Sequence, residues 1–148
     1  MRQMTTIRLE RRIAAAPAAV YDLVTRPARW HEWHPSSIRA DAQAMESLAA
    51  GARFEEDIRS SGFTRHLRWT VREAEPPQRW CAEAVMDDGS TVHLRYELMA
   101  DGDGTRFVRT LDYRLALPLL RWLNDVLMWR RVRRESNRAL DNLVARFP

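Results

Sequence analysis

The first apolar pattern in the chain is an alternation. Ile7, Leu9 and Ile13 interleave with polar neighbours in TTIRLERRIAA, which predicts a β-strand ending near Ala14 and leaves Arg11 on the apolar register. Pro17 suits the first turn of a helix, Val20, Tyr21, Leu23 and Val24 carry that helix, and Pro27 opens a second short one. From about residue 38 to 115 the period becomes two, and the turn signals AAG, SSG, EPP, DDG and DGDG divide it into about six strands, an antiparallel meander. Leu117 to Phe147 then contains no glycine, and its one proline lies at its start. Trp122, Val126, Trp129, Leu140, Leu143, Val144 and Phe147 recur there at helical spacing, which predicts one long amphipathic helix.

Composition narrows what such a layout can be. A chain of 148 residues, 45% of them hydrophobic, fits one compact domain over residues 1–148. A domain of this size buries roughly two thirds of its unfolded surface. The longest uncharged apolar run, LALPLL at 115–120, is far shorter than the ~20 residues a membrane span requires. AAAPAA near the N-terminus imitates a processing site, but the preceding IRLERRI is charged where a signal peptide is apolar, so a cytoplasmic location is expected. The single cysteine, Cys81, has no partner for an intrachain disulfide or a thiolate metal site. All 24 basic residues are arginine, which with the alanine richness suggests a GC-rich bacterial genome. The net charge is +4, yet 20 acidic residues are interspersed, and the densest cluster, Arg130, Arg131, Arg133 and Arg134, spans several faces of the predicted helix. That pattern reads as a solvated surface rather than a phosphate-binding patch, and no nucleic-acid partner is expected. A protein-interaction role for this basic helix is a third, weaker option.

One strand, two short helices, six strands and a long terminal helix form an order with a known owner. With IAAAPAAVYDLVTRPARWHEWHP after the first strand, and VREAEPPQRW, DGS and DGDGTRFVRT at later turns, the chain resembles the START-like (SRPBCC, helix-grip) superfamily. Within it, the resemblance is to the polyketide cyclase/dehydrase and lipid-transport group. The resemblance spans nearly the whole chain and implies an α+β helix-grip fold. Its seven-stranded curved antiparallel sheet, in the order 1-7-6-5-4-3-2, wraps around the C-terminal helix, with Trp122, Val126, Trp129, Leu140 and Val144 on the buried side. It also implies a cavity between sheet and helix that is apolar with a few placed polar groups. The family places the tryptophan segment beside the cavity entrance, so Trp30 and Trp33 are read either as lining residues or as core plugs.

Strand registers nominate the polar groups. Setting apolar against apolar around SSG pairs Phe54 with Leu67 and Ile58 with Phe63, which puts Glu56 opposite Arg65 on the inward face that Trp69 shares. At MDDGS, a three-residue loop with Gly89 in the left-handed position sets Trp80, Ala82 and Ala84 against Tyr96, Leu94 and Val92 and keeps one face apolar. Leu98 then pairs with Phe107, Leu94 with Leu111, and Arg109 falls opposite Tyr96 with Trp80 one strand further. An arginine there either stacks on aromatic rings, binds an anionic ligand head, or snorkels to the rim. His31 and His34 lack further ligands, and His66 and His93 fall on the outward register, so no metal and no cofactor is expected. No nucleophilic triad can be assembled around Cys81, Ser60, Ser61 or Ser90.

Two functions follow from this set. The first is binding or transport of a small hydrophobic molecule, anionic if Arg109 anchors its head, by Trp30, Trp33, Glu56, Arg65, Trp69, Trp80, Tyr96 and Arg109. The second is a cyclase or dehydratase acting through acid-base groups such as Glu56, Tyr96 or Arg65.

Overall fold

The computed structural model describes residues 4–41 and 45–148. Strand β1 (Thr5–Ile13) is followed by helix α1 (Pro17–Val24) and a 3₁₀ helix (Pro27–Glu32). The meander comprises β2 (Ser37–Ala40), β3 (Arg53–Ser60), β4 (Phe63–Glu75), β5 (Arg79–Met86), β6 (Thr91–Asp101) and β7 (Gly104–Arg114). Helix α2 (Pro118–Leu123) passes through a π segment (Asn124–Met128) into α3 (Trp129–Ala145). The seven strands form one antiparallel sheet in the order β1-β7-β6-β5-β4-β3-β2, as the resemblance implies. Alternation works as expected in β1, where Ile7, Leu9 and Ile13 are buried and their neighbours are not. Arg11, on the same register, reaches α3 and donates to Asn137 at 2.7 Å and Asp141 at 3.1 Å, tying the sheet edge to the helix.

The turns set the registers. Gly89 has φ +89°, the left-handed position of a three-residue loop, and Trp80, Ala82 and Ala84 face Tyr96, Leu94 and Val92. Leu98 pairs with Phe107, Leu94 with Leu111 and Tyr96 with Arg109, also as expected. The β3–β4 hairpin differs. Ser61 and Gly62 both have positive φ, 53° and 84°, so a two-residue turn closes the hairpin tighter than apolar matching suggests. Phe54 therefore pairs with Trp69, Glu56 with Leu67 and Ile58 with Arg65. Glu56 and Arg65 are not opposite one another, although a shift of two residues keeps both on the concave face. At the start of β7, a Cβ on Gly104 would lie 2.6 Å from the carbonyl oxygen of Ile13, so only glycine lets β7 begin so close to β1.

The terminal helix is also rearranged. Trp122 and Val126 are exposed, at 60% and 56%, and Trp129 is half-buried beneath the guanidinium of Arg130. The inward positions are Asn124, Met128, Val132, Ser136, Ala139, Leu140 and Leu143. The wider π turn shifts the phase of everything N-terminal to it, and Asn124 takes the inward place. Its side chain accepts from the Tyr113 hydroxyl at 2.6 Å and donates to Thr5 Oγ1 at 2.9 Å. Leu140 and Leu143 are fully buried, each contributing about 1.5–3 kcal/mol by burial. The expected partner Val144 is half-buried and packs at the edge of the same core.

Candidate functional site

Between the sheet and α3 lies a cavity of about 130 Å³. Its walls are largely apolar: Leu67, Trp69, Leu94, Leu111, Met128 and Val132. The polar lining includes His34, Ser37, Glu56, Tyr96, Arg109 and Ser136, with Arg65 and Glu135 also reaching it. Of the sequence-derived residues, Trp30, Glu56, Arg65, Trp69, Tyr96 and Arg109 line this space, whereas Trp33 and Trp80 do not.

Each placement has a local cause. Pro27 starts the 3₁₀ helix, in which residues three apart eclipse, so Trp30 turns inward while Arg29 and Glu32 form a two-pronged ion pair outside. The Trp30 indole donates to the Val24 carbonyl and meets Phe54, Trp69 and Trp80 edge-on at 5.6, 5.7 and 6.0 Å. Trp33 is a core plug whose carbonyl is held by Asn142 of α3. Trp80 stacks behind Tyr96 at 5.5 Å and donates to the Leu48 carbonyl, so it supports the wall from the far side. Arg65 is neutralised by Asp88 at 2.7 Å, not by Glu56.

Glu56 is 4% exposed and, among the described residues, has no cationic partner in contact. It accepts from the Ser37 hydroxyl at 2.6 Å and the Trp69 indole at 3.0 Å. Burial outweighs those bonds and the field of Arg109, and pushes its carboxyl up to about 7. Its protonated form therefore persists to a far higher pH than that of an exposed glutamate. Burial also raises the Tyr96 hydroxyl far above its ordinary range, so it remains a neutral donor.

Arg109 is the most unusual group. It is 6% exposed, and among the described residues it forms no ion pair with a carboxylate. Nη1 donates to Ser136 Oγ at 3.2 Å, Nη2 lies 3.3 Å from His34 Nε2, and Nε has no partner. The histidine contact is compromised. The Ser36 backbone N–H donates to His34 Nδ1 at 3.1 Å, and a neutral imidazole that accepts there carries its proton on Nε2, facing the guanidinium. Burial, then the charge of Arg109, holds His34 well below its ordinary range and thus neutral. Arg109 Nε is left without a partner, Nη2 faces the His34 N–H, and the Tyr96 hydroxyl lies beside the guanidinium. Sequence reasoning does not single out His34 as a cavity residue. The one signal is its position four residues, about one helical turn, after Trp30, too weak to separate it from the exposed His31.

The expected outward histidines are outward. His66 bridges Glu55 and Asp57, and His93 lies beside Glu83, all on the convex face. Among the described residues no cluster of three metal-ligating side chains occurs, and no helix is long and apolar enough to cross a membrane.

Residues 4–148 match the family model described as polyketide cyclase/dehydrase and lipid transport. Among solved structures, TTHA0849 from Thermus thermophilus superposes with a TM-score of 0.77 at 22% identity, covering 97% of each chain. Protein Ms6760 from Mycobacterium smegmatis superposes with a TM-score of 0.69 at 16% identity over 97% of this chain and 90% of that one. Ara h 8.0201 gives 0.65 at 11% identity over 98% of both. At these identities the likeness is one of fold. No curated protein sequence matches the chain.

Proposed function

Because this chain belongs to the polyketide cyclase/dehydrase and lipid transport family, we propose that it binds a small, largely apolar molecule bearing one acidic or enolic oxygen. The body of the ligand rests on Leu67, Trp69, Leu94 and Leu111, and the oxygen sits on Arg109 and His34. The observation that carries this reading is the buried guanidinium, with no carboxylate partner among the described residues and its Nε unmatched, on a largely apolar cavity. A charged group stranded there costs several kcal/mol of desolvation, and an incoming oxyanion offsets that cost by accepting from it.

Calorimetric titration with 2-naphthoate and with 2-naphthylmethanol, a neutral molecule of similar shape, tests the proposal. Arg109→Ala should weaken naphthoate by about 1.5–3 kcal/mol and hardly change the alcohol. Equal losses for both, or no binding of naphthoate to the unaltered protein, would overturn it.

A second reading has its own support in Glu56, whose carboxyl titrates near 7 in the same cavity. As a carboxylate it can remove a proton α to a ligand carbonyl, while the donors of Arg109 and His34 hold the enolate oxygen that forms; as an acid it returns the proton. That is the elementary step of a cyclisation or dehydration. Deuterium incorporation from heavy water into 1-phenylbutane-1,3-dione, accelerated by the protein and reduced to background by Glu56→Gln, is the expected result. A rate unaffected by Glu56→Gln leaves binding alone.

A further inference from the structure

A second recess opens on the outer surface beside the cavity, lined by Arg59 of β3, Arg131, Arg134 and Arg138 of α3, and the β3–β4 turn. All four arginines are exposed, and none forms an ion pair among the described residues. The only acid among the residues lining the recess is Glu135, and Glu135 also lines the inner cavity. It is therefore the partition between the two spaces. Its carboxylate is held from three directions: by the Ser36 hydroxyl before β2, by the Ser60 hydroxyl at 3.3 Å, and by the Ser61 backbone N–H at 3.0 Å. One side chain of α3 thus staples the loop before β2 and the β3–β4 hairpin together over the cavity. The next residue, Ser136, touches Arg109 inside.

We infer that the arginine-lined recess is a first binding site for the acidic head of the ligand, and that the route from it to Arg109 passes Glu135 when that side chain releases its three partners. Resting on the function proposed above, this names the outer subsite and the way in. Four exposed guanidinium groups raise the local concentration of an anion, and the effect weakens with salt. As the head displaces the Glu135 carboxylate from this positive surface, the serine contacts break and the hairpin is freed from α3. The ligand's charge moves from one set of guanidinium groups to another without leaving a basic environment.

Two measurements on the ligand-free protein test it, and the naphthoate calorimetry tests the earlier reading separately. The first is broadening of backbone amides by dissolved nitroxides. The anionic 3-carboxy-PROXYL should broaden Ser61 and Gly62 at least twice as strongly as the neutral 3-carbamoyl-PROXYL, and that excess should vanish in the double variant Arg131→Gln/Arg134→Gln. Equal broadening by both would overturn the anion site. The second is solvent exchange of the Trp69 indole N–H, which donates to Glu56 inside the cavity. Glu135→Ala should accelerate it about tenfold or more. Ser36→Ala/Ser60→Ala removes two of the three staple contacts without altering recess charge and should act in the same direction. An unchanged exchange rate in folded samples of both variants would overturn the route.

Discussion

At the scale of single residues, the chemistry of this protein depends on two charged groups facing one cavity under different constraints. Glu56 has a folded-state pKa near 7, above its ordinary value of 4.5. A carboxyl of that kind is no burden below pH 4.5, where both folded and unfolded forms are protonated. As pH rises from 4.5 to 7 the unfolded chain ionises first, so stability falls, and above 7 the cost is constant. Its full size is on the order of 3 kcal/mol. Glu56→Gln retains acceptor and donor atoms for Trp69 and Ser37 and should remove this slope. Urea titrations at pH 4 and pH 8 are expected to show the variant about equal to the parent at the lower pH and more stable at the higher. His34 works in the opposite direction: its pKa is depressed, so its contribution is lost as pH falls below the ordinary imidazole range. Comparing parent and Glu56→Gln cancels that background. For Arg109, function and stability should diverge. Arg109→Met replaces an unmatched buried charge by an apolar chain, and chemical denaturation should show stability unchanged or raised by about 1 kcal/mol or more, while naphthoate affinity falls.

At the scale of elements, the terminal helix and the β3–β4 hairpin show where periodicity guides and where it misleads. The amphipathic stripe correctly marks Leu140, Leu143 and the half-buried Val144. It fails at Trp122 and Val126 because the π segment changes the residues per turn, and because two inward positions, Asn124 and Ser136, are polar. A hydrophobic pattern assigns no weight to an inward asparagine, although its bonds to Tyr113 and Thr5 fix the helix to both β7 and β1. Thermal denaturation should therefore separate two apolar positions of the stripe sharply. Leu140→Ala is expected to cost about 2–5 kcal/mol by opening a cavity, and Trp122→Ser to remain within about 0.5 kcal/mol. In the hairpin, apolar matching cannot see that Ser61 accepts a left-handed conformation beside Gly62. The tighter turn separates Glu56 from Arg65, leaving the first buried without a cationic partner and the second neutralised by Asp88.

Across the molecule as a unit, the curled sheet and the helix leave space between them, and the charges divide into an inner and an outer set. Salt distinguishes them. Raising ionic strength should reduce the difference between anionic and neutral nitroxide broadening at Ser61 and Gly62, because exposed guanidinium groups are screened over about 8–10 Å at ordinary salt. The Arg109 preference for naphthoate over naphthylmethanol should change much less, since a buried charge is poorly screened. Bound ligand should also stabilise the fold as a whole. At one hundred times its dissociation constant, naphthoate is expected to add about 2.7 kcal/mol to unfolding, visible as a raised midpoint, and Arg109→Ala should cut that gain to about 0.3–1.3 kcal/mol at the same concentration.

Read along the chain alone, resemblance is enough for the strand order, alternation for the faces of the strands, and the Trp80 to Tyr96 pairing for the three-residue loop at Gly89. Arg109 comes to lie beside Tyr96 by the same reasoning, because a register once set by a turn propagates along two strands without further information. What those side chains meet is a matter of tertiary packing. That His34 enters the cavity and confronts Arg109 donor to donor depends on the path of the chain after the 3₁₀ helix, which no periodicity describes. That Trp33 and Trp80 sit behind the wall depends on which element covers them, Asn142 of α3 for one and Leu48 for the other. Glu135 joins α3 to residues 74 to 99 positions earlier in the chain. Local pattern records which face a side chain occupies; only the packing of distant segments supplies, or withholds, its partner.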